Sequence, residues 1–296
     1  MNMSKKVVCF GEVLWDVLPT GKIAGGAPMN MAIRLQSLGI DTQIISRTGM
    51  DDSGTALKNI IAQHQVTTAL VQEDEHIATG EVLVKLDALG IATYNIVYPS
   101  AWDKIEIADA NRSAVQYADA FVFGSLACRD AVSRQTLLEL LSIAQYKIFD
   151  VNLRPPFYDI AFIELLMKQA DFIKLNDEEL IIIATALGSK STVIETNIQF
   201  IAGRTGAKTI CITRGKDGAV LFAENKCWSH PGFTVKVEDT IGSGDSFLAA
   251  LISQILSGKE YAKAVEYACA VGALVAMHKG ANPVLKEEDI KQLINK

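Results

Sequence analysis

A glycine-rich turn in the C-terminal part of the chain combines an anion-binding backbone with a carboxylate. An alternating run, Phe233–Val237, predicts a strand before the sequence DTIGSGD (239–245), and an apolar run with helical spacing follows it. Gly242 and Gly244 let backbone amides point together, and a helix start adds partial positive charge, so phosphate oxygens fit here. A carboxylate repels phosphate, so Asp245 indicates either a base for an attacking hydroxyl or a helix cap. The segment alone leaves both interpretations open.

A second glycine-rich segment lies near the N-terminus. Gly25 and Gly26 precede a predicted helix, Ala32–Leu38, which Gly39 ends as its C-cap. Two glycines before a helix allow a ligand to approach the backbone closely. Asn30 offers donors and an acceptor, which suits a hydroxyl-rich molecule, although an ordinary loop with an asparagine cap fits the same residues.

Together the two segments resemble the two signature patterns of the PfkB (ribokinase-like) carbohydrate kinase family. The first pattern matches from Gly25 through Gly49 and the second from Asp239 through Ile252. Three further stretches look like the fructokinase branch: Gly11–Asp16, Asp150–Tyr158 and Asn176–Glu179. The resemblance covers almost the whole chain and implies one kinase domain over residues 1–296.

The elements that must position these residues alternate between strands and helices. Strands are predicted at Val7–Gly11, Gln43–Arg47, Ala120–Gly124, Lys147–Val151, Phe172–Leu175 and Thr209–Thr213, and helices at Ala32–Leu38, Gly54–Gln63, Arg134–Ala144, Phe162–Lys168 and Tyr261–Met277. This order predicts an α/β fold, with a mostly parallel central sheet flanked by helices on both faces. The resemblance makes that fold ribokinase-like. Ligands in such folds lie beyond the C-terminal ends of the strands.

One region breaks the alternation. Two strand-like runs within residues 79–98 are joined by Ala88–Gly90, which predicts a β-hairpin. In the family that the chain resembles, a small β-sheet lid covers the sugar, and we assign residues of about 14–23 and 79–98 to this lid. A lid would keep water from competing with the sugar hydroxyl. The second strand is apolar on much of both faces, so a homodimer formed through the lid is expected, with a monomer as the alternative.

Composition excludes several other functions. The chain has 296 residues, 49% of them apolar, and a net charge of −6, which argues against nucleic-acid or anionic-membrane binding. Five scattered cysteines without a CxxC pair indicate a reduced, cytoplasmic protein. No export signal is evident, and the longest apolar stretch, Ala268–Met277, is about half a bilayer span.

The resemblance assigns roles on the nucleotide side. ATP would contact Thr213, Gly215, Gly218, Gly242 and Gly244, and the catalytic set would be Gly242, Ser243, Gly244 and the base Asp245. Asn176 and Glu179 would hold Mg²⁺ through water, although a solvated helix start fits these residues too. Asp239 and the carbonyl of Ile241 match positions of a potassium site that Gly280-Ala281 would close; a turn cap is the alternative for Asp239. The phosphate turn itself contains no Lys or Arg, so Mg²⁺ and the helix dipole would offset the ATP charge.

The resemblance also assigns the sugar side and the reaction. The sugar would contact Asp16, Gly25, Gly26, Asn30, Asn152 and Arg154, although Arg154 could equally hold the Pro155-Pro156 turn. We therefore expect an ATP-dependent sugar kinase that phosphorylates a primary hydroxyl, with fructose the favoured substrate. A 2-keto-3-deoxygluconate kinase is the alternative, because Arg154 would pair with its carboxylate. A non-catalytic sugar or nucleotide sensor is the rival class, and it would not need Asp245.

Overall fold

The computed structural model describes residues 4–86 and 92–296, which contain thirteen strands and ten α-helices. The strands are β1 Lys6–Phe10, β2 Leu14–Leu18, β3 Gly21–Gly25, β4 Asp41–Gly49, β5 Val71–Asp74, β6 Gly80–Leu86, β7 Ala92–Ile96, β8 Ala120–Phe123, β9 Lys147–Asp150, β10 Phe172–Asn176, β11 Thr209–Thr213, β12 Ala219–Ala223 and β13 Lys226–His230. The helices are α1 Ala27–Ser37, α2 Asp52–Gln63, α3 Asp109–Gln116, α4 Ala131–Ile143, α5 Ile160–Gln169, α6 Asp177–Ala186, α7 Ile194–Thr205, α8 Ser243–Leu256, α9 Tyr261–Ala276 and α10 Glu287–Ile294. None of the helices within residues 4–86 and 92–296 combines the length and the hydrophobicity that a membrane span requires.

Nine strands form the main sheet in the order β13-β12-β11-β10-β9-β8-β1-β4-β5. All neighbouring pairs are parallel except the two that involve β12. One apolar core lies between the sheet and α3 to α7, and a second lies between the sheet and α1, α2, α8, α9 and α10. The strands between these cores are largely buried because both of their faces are covered, and β8 is apolar throughout. The predicted mostly parallel sheet with helices on both faces is confirmed.

A separate four-stranded sheet, in the order β3-β2-β6-β7, forms the lid. β2 and β6 pair in parallel, whereas β3 and β7 pair antiparallel with their neighbours. The lid extends to Gly25, two residues beyond the predicted boundary. The predicted hairpin turn at residues 88–90 lies outside the described residues.

The lid is fixed to the main body by Arg129. Its guanidinium forms a buried ion pair with Asp103 at 2.7 Å and donates to the carbonyl oxygen of Val97, which directly follows β7. The same group lies 4.1 Å from the ring centroid of Trp102. The guanidinium of Arg129 therefore holds the base of the lid through an ion pair, a hydrogen bond and a cation–π contact.

Two local predictions from sequence were wrong. Phe233–Val237 forms no strand, because Pro231-Gly232 ends β13 just before it and the chain turns back toward α9, where Glu238 N donates to Ala276 O at 2.8 Å. Helix α1 begins at Ala27 rather than at Ala32, with proline in its first turn. Asn30 therefore lies inside a helix and not in a loop.

Candidate active site

The glycine-rich turn leads directly into α8. Gly242 is the N-cap residue, with φ of 72°, and Asp245 lies in the first helical turn. A Cβ added at Gly242 would lie 2.5 Å from the Cβ of Ala281, so both the left-handed backbone and this neighbour require glycine. The free backbone amides at the start of α8 and the carboxylate of Asp245 therefore lie in the same helical turn, as the sequence predicted.

Asn30 connects the two glycine-rich segments. Its side chain is 4% exposed, and its Nδ2 donates to Asp245 Oδ2 at 2.8 Å. Its Oδ1 accepts a hydrogen bond from Asn282 Nδ2 at 2.9 Å. One N–H and one lone pair of Asn30 are therefore engaged within the protein, and one of each remains for a hydroxyl-rich ligand.

Asp245 is surrounded by charged groups that set its pKa. Burial, together with the negative charge of the nearby Asp150, raises the pKa of Asp245 from 3.8 to about 6. The hydrogen bond from Asn30 and the positive charges of Lys174 and Arg154 act in the opposite direction. A carboxyl that titrates near pH 6 is ionised at neutral pH and keeps enough basicity to accept a proton.

Two of the predicted sugar-side residues, Asp16 and Arg154, lie close enough to interact electrostatically. Asp16 lies within β2, inside the predicted lid segment of about 14–23, and its Oδ2 is 2.5 Å from where a Cβ on Gly25 would stand. Gly26 is the N-cap residue of α1. Burial raises the pKa of Asp16, and Arg154 partly opposes this shift, as it does at Asp245. One guanidinium therefore acts electrostatically on carboxyls from two distant parts of the chain.

The side chain of Arg154 is exposed to solvent and has few hydrogen-bond partners among the described residues. Its Nη1 donates only to the neighbouring carbonyl of Leu153 at 3.2 Å, and it forms no ion pair within the described part of the chain. Asn152 adopts a left-handed backbone with φ of 39° and lines a small cavity together with Asp150 and Glu12. Both sequence-predicted residues therefore lie beyond the C-terminal end of β9, on the same side as Asp245.

Glu12 is a site residue that the sequence reasoning did not assign. It is 5% exposed, and burial raises its pKa to about 7, with Arg154 lowering it and Asp245 raising it. Its Oε2 is buried and has no hydrogen-bond partner among the described residues. The sequence feature that could have identified Glu12 is its position as an acidic residue directly after a buried strand and Gly11.

Lys174 was also missed, and it adds a cation beside a phosphate turn that itself contains no Lys or Arg. Its Nζ forms a buried ion pair with Asp150 Oδ1 at 3.0 Å and lies 3.8 Å from where a Cβ on Gly244 would stand. Burial alone would lower the pKa of Lys174, but Asp150 and Glu179 outweigh this and raise it to about 12. The ammonium of Lys174 therefore lies close to the anion-binding turn, with Asp150 as its counter-ion.

Most of the residues predicted on the nucleotide side line one cleft of about 760 Å³, whereas Gly242, which was also predicted to contact ATP, does not line it. Those predicted from the sequence are Asn176, Thr213, Gly215, Gly218, Ser243 and Gly244. Thr213 to Gly218 also form the tight connection between the antiparallel strands β11 and β12, so the turn and ligand interpretations of this loop are compatible. Apolar walls come from Phe233, Val235 and Ala273.

Asn176 and Glu179 form a capping box at the start of α6. Asn176 Oδ1 accepts from Glu179 N, and Glu179 Oε2 accepts from Asn176 N, both at 2.8 Å. Glu179 Oε1 accepts from Leu153 N at 2.8 Å. Each carboxylate oxygen thus already receives one backbone N–H and keeps a second lone pair that could accept from a hydrated Mg²⁺, so magnesium binding through water stays a prediction. The described residues contain no cluster of three or more His, Cys, Asp or Glu arranged to hold a metal.

Asp239 and Ile241 precede the turn and do not line the cleft. Asp239 Oδ1 accepts from Ile241 N and Oδ2 accepts from Gly280 N, each at 3.0 Å. The carboxylate therefore ties the turn to the C-terminal segment, as the cap interpretation requires. A potassium ion at this position stays a prediction.

Comparison with known proteins extends over nearly the whole chain. The pfkB family of carbohydrate kinases matches residues 4–288. Fructokinase-1 of Zea mays is 29% identical over 320 residues, which cover 98% of this chain and 98% of that protein.

Two solved fructokinase structures are also similar to this chain over nearly its whole length. The fructokinase of Xylella fastidiosa with bound ATP superposes with a TM-score of 0.86 and 25% identity, covering 99% of both chains. A double mutant of the Vibrio cholerae fructokinase, in its fructose-, ADP- and potassium-bound form, superposes with a TM-score of 0.84 and 24% identity over 98% of both chains. This second likeness supports the ribokinase-like fold alone.

Proposed function

The chain belongs to the pfkB family of carbohydrate kinases, and we propose that it is an ATP-dependent fructokinase producing fructose 6-phosphate. One observation carries the proposal. Asp245 is hydrogen-bonded at 2.8 Å to Asn30 from the sugar-side segment, while Ser243 and Gly244 beside it line the nucleotide cleft. A base at this junction can contact a sugar hydroxyl on one side and the phosphoryl group of ATP on the other.

The proposed mechanism follows from this arrangement. Asp245 accepts the proton of the attacking hydroxyl, and Asn30 orients the carboxylate through its Nδ2. The amide end of α8 and the ammonium of Lys174 stabilise negative charge on the transferring phosphoryl group. Asn176 and Glu179 would hold a hydrated Mg²⁺, which would supply further charge neutralisation when bound. The lid would exclude water from the sugar hydroxyl.

Charge favours a neutral sugar over a sugar acid. Arg154, which forms no ion pair with the residues that the structure describes, supports 2-keto-3-deoxygluconate as an alternative substrate, because a carboxylate would pair with it. Three carboxyls, Glu12, Asp16 and Asp245, already lie within the electrostatic range of this single guanidinium. A substrate carboxylate would be repelled by those that are ionised, whereas fructose hydroxyls can donate to them.

The buried cysteines at positions 9, 128, 211 and 269 further support a reducing, cytoplasmic location.

Steady-state kinetics tests the proposal. Formation of ADP is followed with fructose, 2-keto-3-deoxygluconate, ribose and glucose, and the product is identified by ³¹P NMR. We expect the highest kcat/KM with fructose and a phosphate ester on its C6 hydroxyl. A higher kcat/KM with the keto acid would transfer the assignment to that substrate. A protein that binds sugar and ATP but forms no ADP would instead support the sensor.

A further inference from the structure

We propose that Asn282 is a positioning residue for Asp245: its side-chain amide fixes the orientation of Asn30, and Asn30 in turn fixes the carboxylate. This inference rests on the proposed role of Asp245 as the base. Asn282 comes from the segment between α9 and α10, far in sequence from both partners. It touches neither the reacting hydroxyl nor the phosphoryl group in the proposed mechanism, so its effect passes through Asn30.

The directions of the two hydrogen bonds, from Asn282 to Asn30 and from Asn30 to Asp245, require one orientation of each amide. An ionised Asp245 can only accept, so Asn30 must turn its Nδ2 toward it, at 2.8 Å. The Oδ1 of Asn30 then points the other way and needs a donor, which Asn282 Nδ2 supplies at 2.9 Å. Without that donor, Asn30 could rotate its amide by half a turn and present oxygen to Asp245. An acceptor against the carboxylate would favour its protonated form and remove the base.

The amide of Asn282 is held in place by its neighbours. Gly280 N donates to Asp239 Oδ2 at 3.0 Å, and Ala281 is 3% exposed and packs against Gly242. On the other side, the carbonyl of Pro283 accepts from Arg34 Nη2 at 2.9 Å. The backbone before and after Asn282 is therefore fixed, and its side chain has a defined approach to Asn30.

The oxygen of Asn282 supports the same conclusion. This Oδ1 is buried and has no hydrogen-bond partner within residues 4–86 and 92–296. Leaving a buried acceptor unsatisfied is unfavourable, so Asn282 is not oriented to complete its own hydrogen bonds. Exchanging its oxygen and nitrogen would place two oxygens face to face at Asn30. The requirement of Asn30 for a donor accounts for the observed orientation.

The test measures the titration of Asp245 directly. The carboxyl is observed by ¹³C NMR in protein labelled at aspartate, and its resonance is assigned by its loss in Asp245→Asn. Asn282→Leu keeps similar volume and removes the donor, and Asn282→Ala is a second, smaller variant. We expect both to raise the midpoint by about 0.5–1 pKa unit, and Asn282→Gln, which keeps a primary amide, to restore part of the shift. The charged groups that face Asp245 are unchanged in every variant: Glu12, Asp150, Arg154 and Lys174.

Two controls separate positioning from a general structural effect. Val284→Ala, at a position that is 85% exposed and two residues away, should leave the midpoint unchanged. In an Asn30→Ala background, Asn282→Leu should cause no further shift, because the connecting amide is already absent. In the active enzyme, the acid limb of the kcat–pH profile should move with the midpoint while KM for ATP stays constant.

An unchanged midpoint in folded Asn282→Leu or Asn282→Ala would overturn the inference. So would an undiminished effect of Asn282→Leu in the Asn30→Ala background. The titration is read on the protein without turnover. A chain that formed no ADP with any sugar would refute the proposed function and leave this result unaffected.

Discussion

Replacing Asp245 by asparagine is expected to yield an inactive protein that is more stable than the wild type above pH 6. The carboxamide oxygen of the variant can still accept the hydrogen bond from Asn30 Nδ2, so the site geometry and ligand binding should be retained. The proton acceptor is lost, and loss of a general base lowers turnover by about 10²–10⁴-fold. The uncharged amide also removes the cost of burying an ionised carboxylate.

The size of the stabilisation follows from the pKa of Asp245, which is raised from 3.8 to about 6. Between these values the folded state holds a proton that the unfolded state has released. The free energy of unfolding therefore falls as pH rises through this window, and it stays lower above pH 6. At 1.36 kcal/mol per pKa unit the shift corresponds to at most about 3 kcal/mol. Asp245 is only half-buried, so solvent screens part of this effect and we expect Asp245→Asn to gain about 1–2 kcal/mol at pH 8.

Urea unfolding at pH 5 and pH 8, together with ADP formation and calorimetric binding of ATP and sugar, measures these effects. The stability difference between variant and wild type should be larger at pH 8 than at pH 5. Turnover within a few-fold of the wild type would refute the assignment of the base. An equal or smaller stability gain at pH 8 would refute the electrostatic argument even if turnover were lost.

Three further predictions concern the surroundings of the base and the assembly of the protein. Glu12→Gln should raise the free energy of unfolding at pH 8 by about 1–3 kcal/mol, with little change at pH 4, because burial raises the pKa of Glu12 from 4.5 to about 7; an identical effect at both pH values in urea unfolding would contradict this. Initial rates of ADP formation should be higher in potassium chloride than in tetramethylammonium chloride if an ion binds at Asp239 and the carbonyl of Ile241, and equal rates would exclude a functional site. Light scattering at micromolar concentration should give twice the chain mass of 32.1 kDa. The lid leaves Tyr94 68% exposed, which a partner's lid could cover, and a constant mass of one chain at all concentrations would reject the dimer.

Much of the fold follows from local sequence, because buried parallel strands are apolar on both faces. The predicted strand Ala120–Gly124 agrees within one residue with β8, which is buried throughout. Phe233–Val237 has the same strand preference but no place in the sheet, since Pro231-Gly232 ends the antiparallel pair before it. The strand preference of a segment identifies it as a candidate strand, but the segment becomes a strand only where a neighbouring strand can pair with its backbone.

The candidate site could be predicted only where its residues lie in recognisable patterns. The two glycine-rich segments indicated Asn30 and Asp245 separately, and the contact between them depends on how α1 packs against α8. Lys174 was not predicted because its sequence context is a buried strand. Its role becomes visible only through the register of the sheet, in which Lys174 lies directly opposite Asp150 on β9. Pairing across strands is a property of the folded chain that a local pattern does not contain.

The contact between Asn30 and Asn282 has a consequence for synthesis of the protein on the ribosome. These two residues are 252 positions apart in the chain. At translation rates of about 5–20 residues per second, Asn282 is made about 13–50 s after Asn30. The nascent chain can build most of its sheet in that interval, yet the hydrogen bonds that orient the base cannot all form. Catalytic competence would therefore arise as one of the last steps of biosynthesis.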